Sequence, residues 1–188
     1  MSLILDPIKT ALVLIDLQHG IVAFPAQPHA SSKVVERSRS MAESFRKKGS
    51  PVVYVRVDLS DMLPIIVDLS HSDPNAVIPA IASELVPDAG FQKGDLLVTK
   101  RHWGAFGQTG LEDALRGRGV DTIVLAGLAT NFGVESTARQ AVGLGFQVVI
   151  AEDACSSISP DAHTFAVKTI FPLIGRVRTV AEVIDALA

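Results

Sequence analysis

Cysteine is almost absent from this 188-residue chain, which contains only Cys155. A single cysteine excludes an intrachain disulfide and a metal site built from a cysteine cluster. The chain also has no uninterrupted apolar run of about 18 residues, the length that a transmembrane helix needs. Its first residues, MSLILDPIKTALVLID, lack the basic start of a secretory signal. We therefore expect a cytoplasmic protein that does not insert into a membrane.

An excess of positive charge is likewise missing. The net charge is −3, with 20% charged and 48% hydrophobic residues. This balance gives no electrostatic reason to expect nucleic acid or an anionic membrane as a partner, and it is typical of a globular protein. The sequence contains no internal repeat, low-complexity segment or linker, so we predict one domain over residues 1–188.

Several sequence motifs of common active sites are absent. There is no G-x-G-x-x-G, P-loop, H-E-x-x-H or G-x-S-x-G. We therefore expect no nucleotide cofactor, and no cofactor of another kind is indicated.

What the chain does contain is an alternation of short apolar runs and longer helical patterns. The predicted strands are 11–16, 51–58, 95–100, 121–127, 146–153 and a short sixth within 175–180. The predicted helices are 33–49, capped by Ser31 or Ser32 and ended by Gly49, then 109–119, 134–145, 160–171 and 180–188. Residues 61–89 are predicted to be loop with short helical pieces. Buried strands that alternate with helices predict a parallel sheet in a three-layer α/β/α sandwich.

Polar residues fall at the carboxyl ends of these strands, where ligands bind in such sheets. Asp16, Asp58 and Lys100 end the first three strands, and a small-residue turn, 127–133, follows the fourth. A lone Asp16 is best interpreted as a helix cap or part of a structural salt bridge. Lys100 favours a second interpretation, because a lysine at a neighbouring strand end can hold Asp16 ionised and stabilise negative charge on a substrate.

Three segments of the chain resemble the isochorismatase-like, or cysteine hydrolase, superfamily. They are ALVLIDLQHGIV, VTKRHWGAF and TIVLAGLATNFGVESTARQAVGLGFQVVIAEDACSS, and the resemblance runs from about residue 10 to 180. It implies a six-stranded parallel sheet of order 3-2-1-4-5-6 and a homo-oligomer. It also implies a catalytic triad of Asp, Lys and Cys. Asp16 and Lys100 match the first two positions, but the cysteine position falls on Gly133.

Glycine cannot form the thioester by which the amidase members act. Isochorismatases also carry glycine there and cleave a vinyl ether, with the Asp as proton donor. The resemblance further implies a cis peptide at Leu128–Ala129 and an anion hole formed by the N–H groups of Ala129 and Gly133. Glycine at 133 is expected to leave extra room for substrate or water. Cys155 is assigned a packing role.

The nicotinamidase members bind a metal through histidines that this chain lacks. Asp58 is present, but Ser60 stands in place of the first histidine, and His71 alone cannot complete a site. We predict no bound metal. His102 follows Lys100 closely, and we assign it to a loop or to the surface rather than to substrate binding.

Four aromatic residues, Phe24, Trp103, Phe106 and Phe132, flank the expected crevice. They form either ordinary packing or an apolar pocket for a small planar substrate. Phe24, Trp103 and Phe132 are the predicted pocket residues, together with Ala129 and Asn131.

The sequence therefore predicts a hydrolase of a small organic molecule that uses Asp16 as general acid/base, Lys100 as its partner and Gly133 in place of a nucleophile. Two alternatives remain: an amide or carbamoyl hydrolase that activates water, and a non-catalytic small-molecule binder with the same fold.

Overall fold

A parallel β-sheet forms the centre of the molecule in the computed structural model, which describes residues 3–69 and 76–187. Six strands form this sheet: β1 (Thr10–Ile15), β2 (Val52–Val57), β3 (Leu96–Lys100), β4 (Thr122–Leu128), β5 (Gln147–Ser156) and β6 (Arg176–Arg178). Their order is β3-β2-β1-β4-β5-β6, and every neighbouring pair is parallel. The predicted sheet and strand order are confirmed.

Helices flank this sheet, as the three-layer prediction requires. They are α1 (His19–Val22), α2 (Ser31–Lys47), α3 (Leu111–Arg116), α4 (Glu135–Gly143), α5 (Pro160–Phe165), α6 (Phe171–Ile174) and α7 (Val180–Ala186). The central strands β1 and β4 are buried along their whole length. Because helices cover a parallel sheet on both faces, such strands are continuous apolar runs rather than alternating patterns.

Helix α2 buries one face at helical spacing, including Val34, Met41 and Phe45, and Gly49 follows its end with a φ of +78°. The predicted serine cap is wrong. Ser31 is already the first helical residue, and its hydroxyl donates to the carbonyl oxygen of Phe24 at 2.9 Å. The Ser31 hydroxyl therefore anchors the preceding loop and does not cap the free N–H groups at the start of α2.

Several element boundaries differ from those predicted, most clearly at the ends of β5 and of the helix that follows it. Strand β5 continues to Ser156, past an irregularity in its pairing with β4, so Cys155 lies inside this strand. Strand β6 lies within the predicted range 175–180, and it ends at Arg178 because Thr179 forms a capping box with Glu182 at the start of α7. The helix predicted over 160–171 continues to residue 174 through a π-helical turn at 166–170.

The region between β2 and β3 contains two 3₁₀ turns, Ala80–Ser83 and Pro87–Ala89. Gln18, which is fully buried, ties this region to the sheet. Its amide nitrogen donates to the carbonyl oxygens of Val57 (2.9 Å) and Ala82 (3.1 Å), and its amide oxygen accepts from the Val57 N–H. None of the helices in the described ranges is both long and apolar enough to cross a bilayer.

Candidate active site

A buried ion pair lies at the carboxyl ends of β1 and β3. The Lys100 Nζ donates to the Asp16 Oδ2 at 2.8 Å, and the two side chains are only 2% and 7% exposed. Asp16 directly follows β1, and its N–H donates to the Val55 carbonyl of β2. The lysine therefore reaches past β2 to meet the carboxylate. The structure thus brings together the two charged residues that the sequence singles out.

The conformation of Asp16 is unusual. Its φ is +53°, a region that aspartate tolerates better than most residues. Its second oxygen, Oδ1, is buried and has no hydrogen-bond partner within residues 3–69 and 76–187. Burial raises the pKa of Asp16, while the charge of Lys100 and its hydrogen bond oppose this rise. Oδ1 is therefore the atom through which this carboxyl group can bond to a ligand.

The turn after β4 approaches β1 closely. Gly127 has a φ of +120°, and a β-carbon there would lie 2.1 Å from the Ile15 carbonyl oxygen, so only glycine fits. The Leu128–Ala129 peptide bond is cis. A π-helical turn, Thr130–Val134, then leads into α4. Within the described ranges, the Ala129 N–H donates to no protein acceptor.

Gly133 lies directly beside Asp16. A β-carbon built on Gly133 would lie 3.0 Å from the Asp16 Oδ2 and 2.8 Å from the Ile15 Cγ2. The atoms nearest to this position belong to the side chains of Ile15 and Asp16, and the expectation that glycine leaves extra room for substrate or water stays a prediction. At this position, glycine permits close approach.

Two of the predicted pocket aromatics contact each other. The rings of Trp103 and Phe132 lie edge to face with centroids 5.0 Å apart, and Trp103 is half exposed. Phe24 is exposed and does not join this pair. Phe106 instead packs against Phe146, which is the ordinary packing alternative.

Polar side chains connect the turn after β4 to β5 and α5. The Ser157 hydroxyl donates to the Asn131 Oδ1, which leaves the amide nitrogen of Asn131 for another partner. The buried Thr130 hydroxyl lies 2.8 Å from the His163 Nδ1. Burial lowers the pKa of His163, so its neutral form is favoured.

Other residues near the strand ends do not join the ion pair. The Asp58 carboxylate accepts from the N–H and hydroxyl of Ser60, which lowers the pKa of Asp58. The His102 Nε2 lies 2.9 Å from the Gly107 carbonyl oxygen, within its own loop. Cys155 is fully buried in β5 opposite Gly127, and burial raises its pKa to about 12. Since strands are about 4.8 Å apart, Cys155 lies roughly 10 Å, or two strands, from the end of β1.

No group of three or more His, Cys, Asp or Glu side chains in the described part of the chain is arranged to hold a metal ion. His71, which the sequence considers for such a site, lies outside the described residues. The absence of a bound metal stays a prediction.

Sequence reasoning missed the residues that position this site. Gln18 has a local signal, since it follows Asp16 by two residues. Thr137 also has a local sequence signal, because it follows Gly133 by four residues and thus lies on the same helix face. His163 has none, since 33 residues separate it from Thr130.

Comparison with known proteins identifies the family. The isochorismatase domain model matches residues 10–182. The chain belongs to the isochorismatase family. It is 47% identical to the uncharacterized isochorismatase family protein YecD of Escherichia coli O157:H7, over 95% of this chain and 96% of that one. An isochorismatase family protein from Burkholderia thailandensis is 43% identical, with a TM-score of 0.93 over 100% of this chain and 99% of that one.

A more distant member is N-carbamoylsarcosine amidase from Thermoplasma acidophilum. It is 26% identical, with a TM-score of 0.72 over 92% of this chain and 96% of that one. Members of the isochorismatase family are hydrolases, and this chain is therefore an isochorismatase-family hydrolase.

Proposed function

We propose that this isochorismatase-family hydrolase cleaves a small vinyl ether or related substrate by proton transfer from Asp16, without a cysteine nucleophile. One observation carries the proposal: Gly133, which the family resemblance matches to the nucleophile position, lies beside the buried Asp16 carboxylate. The only thiol of the chain is buried about two strands away and is held in its protonated form by burial. A mechanism that uses the carboxyl group alone therefore fits the residues that are present.

In the proposed reaction, the protonated Asp16 gives its proton to the terminal carbon of the vinyl ether. The π bond of the C=C group breaks as a C–H bond forms at the terminal carbon, which leaves an oxocarbenium ion. Water adds to this cation and returns a proton to Asp16, so the carboxyl group is regenerated. The resulting hemiketal then breaks the C–O bond to the leaving oxygen, which takes up the hydroxyl proton of the hemiketal, and the products are an alcohol and a ketone.

Lys100 stabilises the Asp16 carboxylate that forms after the proton has left. Its ammonium is 2.8 Å from Oδ2, which leaves Oδ1 as the oxygen that carries the mobile proton. Partial negative charge on the substrate would be held by the N–H groups of Ala129 and Gly133. A positioned acid of this kind contributes about 10²–10⁴-fold to the rate.

The substrate would lie between this pair and an aromatic rim. Trp103 and Phe132 supply an apolar wall suited to a planar group, and Phe24 is exposed on the loop that follows α1. The amide nitrogen of Asn131 supplies one hydrogen-bond donor, because its oxygen is already engaged with Ser157.

The second candidate is an amide or carbamoyl hydrolase, which the relationship to N-carbamoylsarcosine amidase favours. In that reaction the ionised Asp16 would take a proton from water as the water attacks a carbonyl carbon. The two candidates differ in the required state of Asp16. Turnover by the acid form falls as the pH rises through its raised pKa, and turnover by the base form increases over the same range.

The test is a substrate panel of vinyl ethers, amides and ureides with the wild type, Asp16→Asn and Asp58→Asn. Asp58 is a matched control because it follows the neighbouring strand β2 and its carboxylate accepts hydrogen bonds from the nearby Ser60. We expect vinyl ether cleavage that Asp16→Asn lowers by about 10²–10⁴-fold and Asp58→Asn leaves unchanged. In D₂O the ketone formed should contain one carbon-bound deuterium.

Three results would contradict the proposal. Amide turnover with no vinyl ether turnover supports the second candidate. Saturable binding without turnover across the panel supports a binding protein. A substrate-derived adduct on Cys155, detected by mass spectrometry during turnover, would identify a nucleophile elsewhere in the chain.

A further inference from the structure

The loop between β3 and α3, residues 101–110, carries Trp103 and has no regular secondary structure. Nevertheless, Gly104 and Ala105 within it are buried. Since the loop directly follows Lys100, its position matters to the ion pair as well as to the aromatic rim. Its anchors lie on the helix that starts beside Gly133.

The first anchor is the hydroxyl of Thr137, which is fully buried. It accepts a hydrogen bond from the Ala105 N–H at 3.1 Å and donates to the Gly133 carbonyl oxygen at 2.7 Å. One hydroxyl thus joins the loop to the backbone that lies beside Asp16. Without it, the buried Ala105 N–H would have no acceptor, and an unpartnered buried donor is costly.

The second anchor is Gln140. Its amide oxygen accepts from the Phe106 N–H at 3.0 Å. The loop lies so close to this side chain that a β-carbon on Gly104 would be 2.3 Å from the same oxygen. Positions 133, 137 and 140 are spaced by four and three residues, so they share one helix face.

The loop and the helix start meet again at the aromatic pair. Trp103 lies two residues before Ala105, and Phe132 lies one residue before Gly133. We propose that Thr137 is a positioning residue, whose hydroxyl sets the loop against the helix start and so holds Trp103 on Phe132 at the rim of the site. Gln140 supports the same arrangement.

The chain contains a single tryptophan, so its fluorescence reports on this loop without a substrate. The variant is Thr137→Val, which keeps the shape and removes the hydroxyl, and Thr137→Ser restores the hydroxyl. The matched control is Thr122→Val, since Thr122 is also buried but bonds to Asp121 at the opposite end of β4. The measurements are the emission maximum and the acrylamide quenching constant.

We expect Thr137→Val to shift the emission to longer wavelength and to raise the quenching constant by up to about two-fold, because half of the Trp103 surface is shielded in the wild type. Thr137→Ser and Thr122→Val should match the wild type. Identical spectra for Thr137→Val and Thr122→Val would overturn the proposal. If Thr137→Val does not fold, Gln140→Met takes its place, because it removes the acceptor of the Phe106 N–H. A red shift and stronger quenching in Gln140→Met would support the proposal, and spectra identical to those of Thr122→Val would overturn it.

The kinetic part of this inference rests on the proposed function. With a substrate from the panel, Thr137→Val should lower kcat/KM by about 10- to 100-fold, mainly through KM, and Thr137→Ser should recover most of it. An equal loss in Thr122→Val would mean that the effect is general destabilisation. The fluorescence result stands even if no substrate is found, so failure of the proposed function and failure of this inference are distinguishable.

Discussion

Removal of the Lys100 ammonium is the most direct perturbation of the buried ion pair. Lys100→Met keeps most of the volume of the side chain and leaves the Asp16 carboxyl group without its partner. Both side chains are more than nine-tenths buried, and removing one member of such a pair costs about 3–5 kcal/mol of unfolding free energy. We expect a loss of this size at neutral pH, measured by urea denaturation.

The size of this loss should depend on pH. Burial raises the pKa of Asp16, and the charge and hydrogen bond of Lys100 oppose this rise. Because Lys100→Met removes both opposing interactions, we expect it to raise the pKa of Asp16 further. A raised pKa in the folded state favours the folded state at low pH. This contribution is complete below the unfolded value of about 3.9 and disappears as the pH rises through the folded value. The deficit relative to wild type should therefore be larger at pH 8 than at pH 5, growing by at most about 1.4 kcal/mol per pH unit within that window.

Two further variants serve as controls. Arg101→Met breaks the Arg101–Asp61 pair, whose side chains are 46% and 61% exposed, and should cost no more than about 1 kcal/mol. The double variant Asp16→Asn/Lys100→Met removes the buried charge and should lose the pH trend. The reasoning would be refuted if Lys100→Met lost no more unfolding free energy than Arg101→Met, or if its loss were equal at pH 5 and pH 8.

Three more predictions concern single features of the fold and the site. Gly127→Ala should lower the unfolding free energy by more than about 4 kcal/mol, because its β-carbon meets the Ile15 carbonyl oxygen; in Gly49→Ala, where nothing lies within 4 Å, the loss should be about 1 kcal/mol. Iodoacetamide should alkylate Cys155, whose pKa is raised to about 12, only in unfolded protein, and intact mass after native incubation checks this. Chelators should change neither the melting temperature nor turnover, and stoichiometric zinc or iron by elemental analysis would contradict this.

Much of the fold is predictable from the sequence because the strands are encoded locally. The run ALVLI, residues 11–15, is apolar and rich in branched residues, and it forms all of β1 except the first residue, with every side chain buried. The boundaries are less predictable, because they depend on contacts between distant residues. Strand β5 extends to Ser156 only where its pairing with β4 shifts past residue 125, and no pattern within β5 itself indicates this.

The candidate site divides in the same way. The sequence predicts the pairing of Asp16 with Lys100, because both residues lie at the carboxyl ends of parallel strands and these ends lie on the same side of the sheet. The crowding around Gly133 does not follow, since it depends on how near the turn after β4 comes to Ile15. Likewise, the bond from Ala105 to Thr137 joins residues 32 positions apart, and only the folded structure brings them together.

The close contact at Gly133 changes the interpretation of the missing cysteine. If glycine were only the remnant of a lost nucleophile, a β-carbon built there would be expected to fit the space that the side chain once filled. Instead, it would lie 3.0 Å from the Asp16 Oδ2 and 2.8 Å from a stiff methyl group of Ile15. A residue with a β-carbon at position 133 would therefore require the side chains of Ile15 and Asp16 to shift. Burial is the main cause of the raised pKa of Asp16. We infer that the close packing of Gly133 contributes to the burial of Asp16, so a side chain at this position would change the surroundings of the carboxyl group as well as supply a nucleophile.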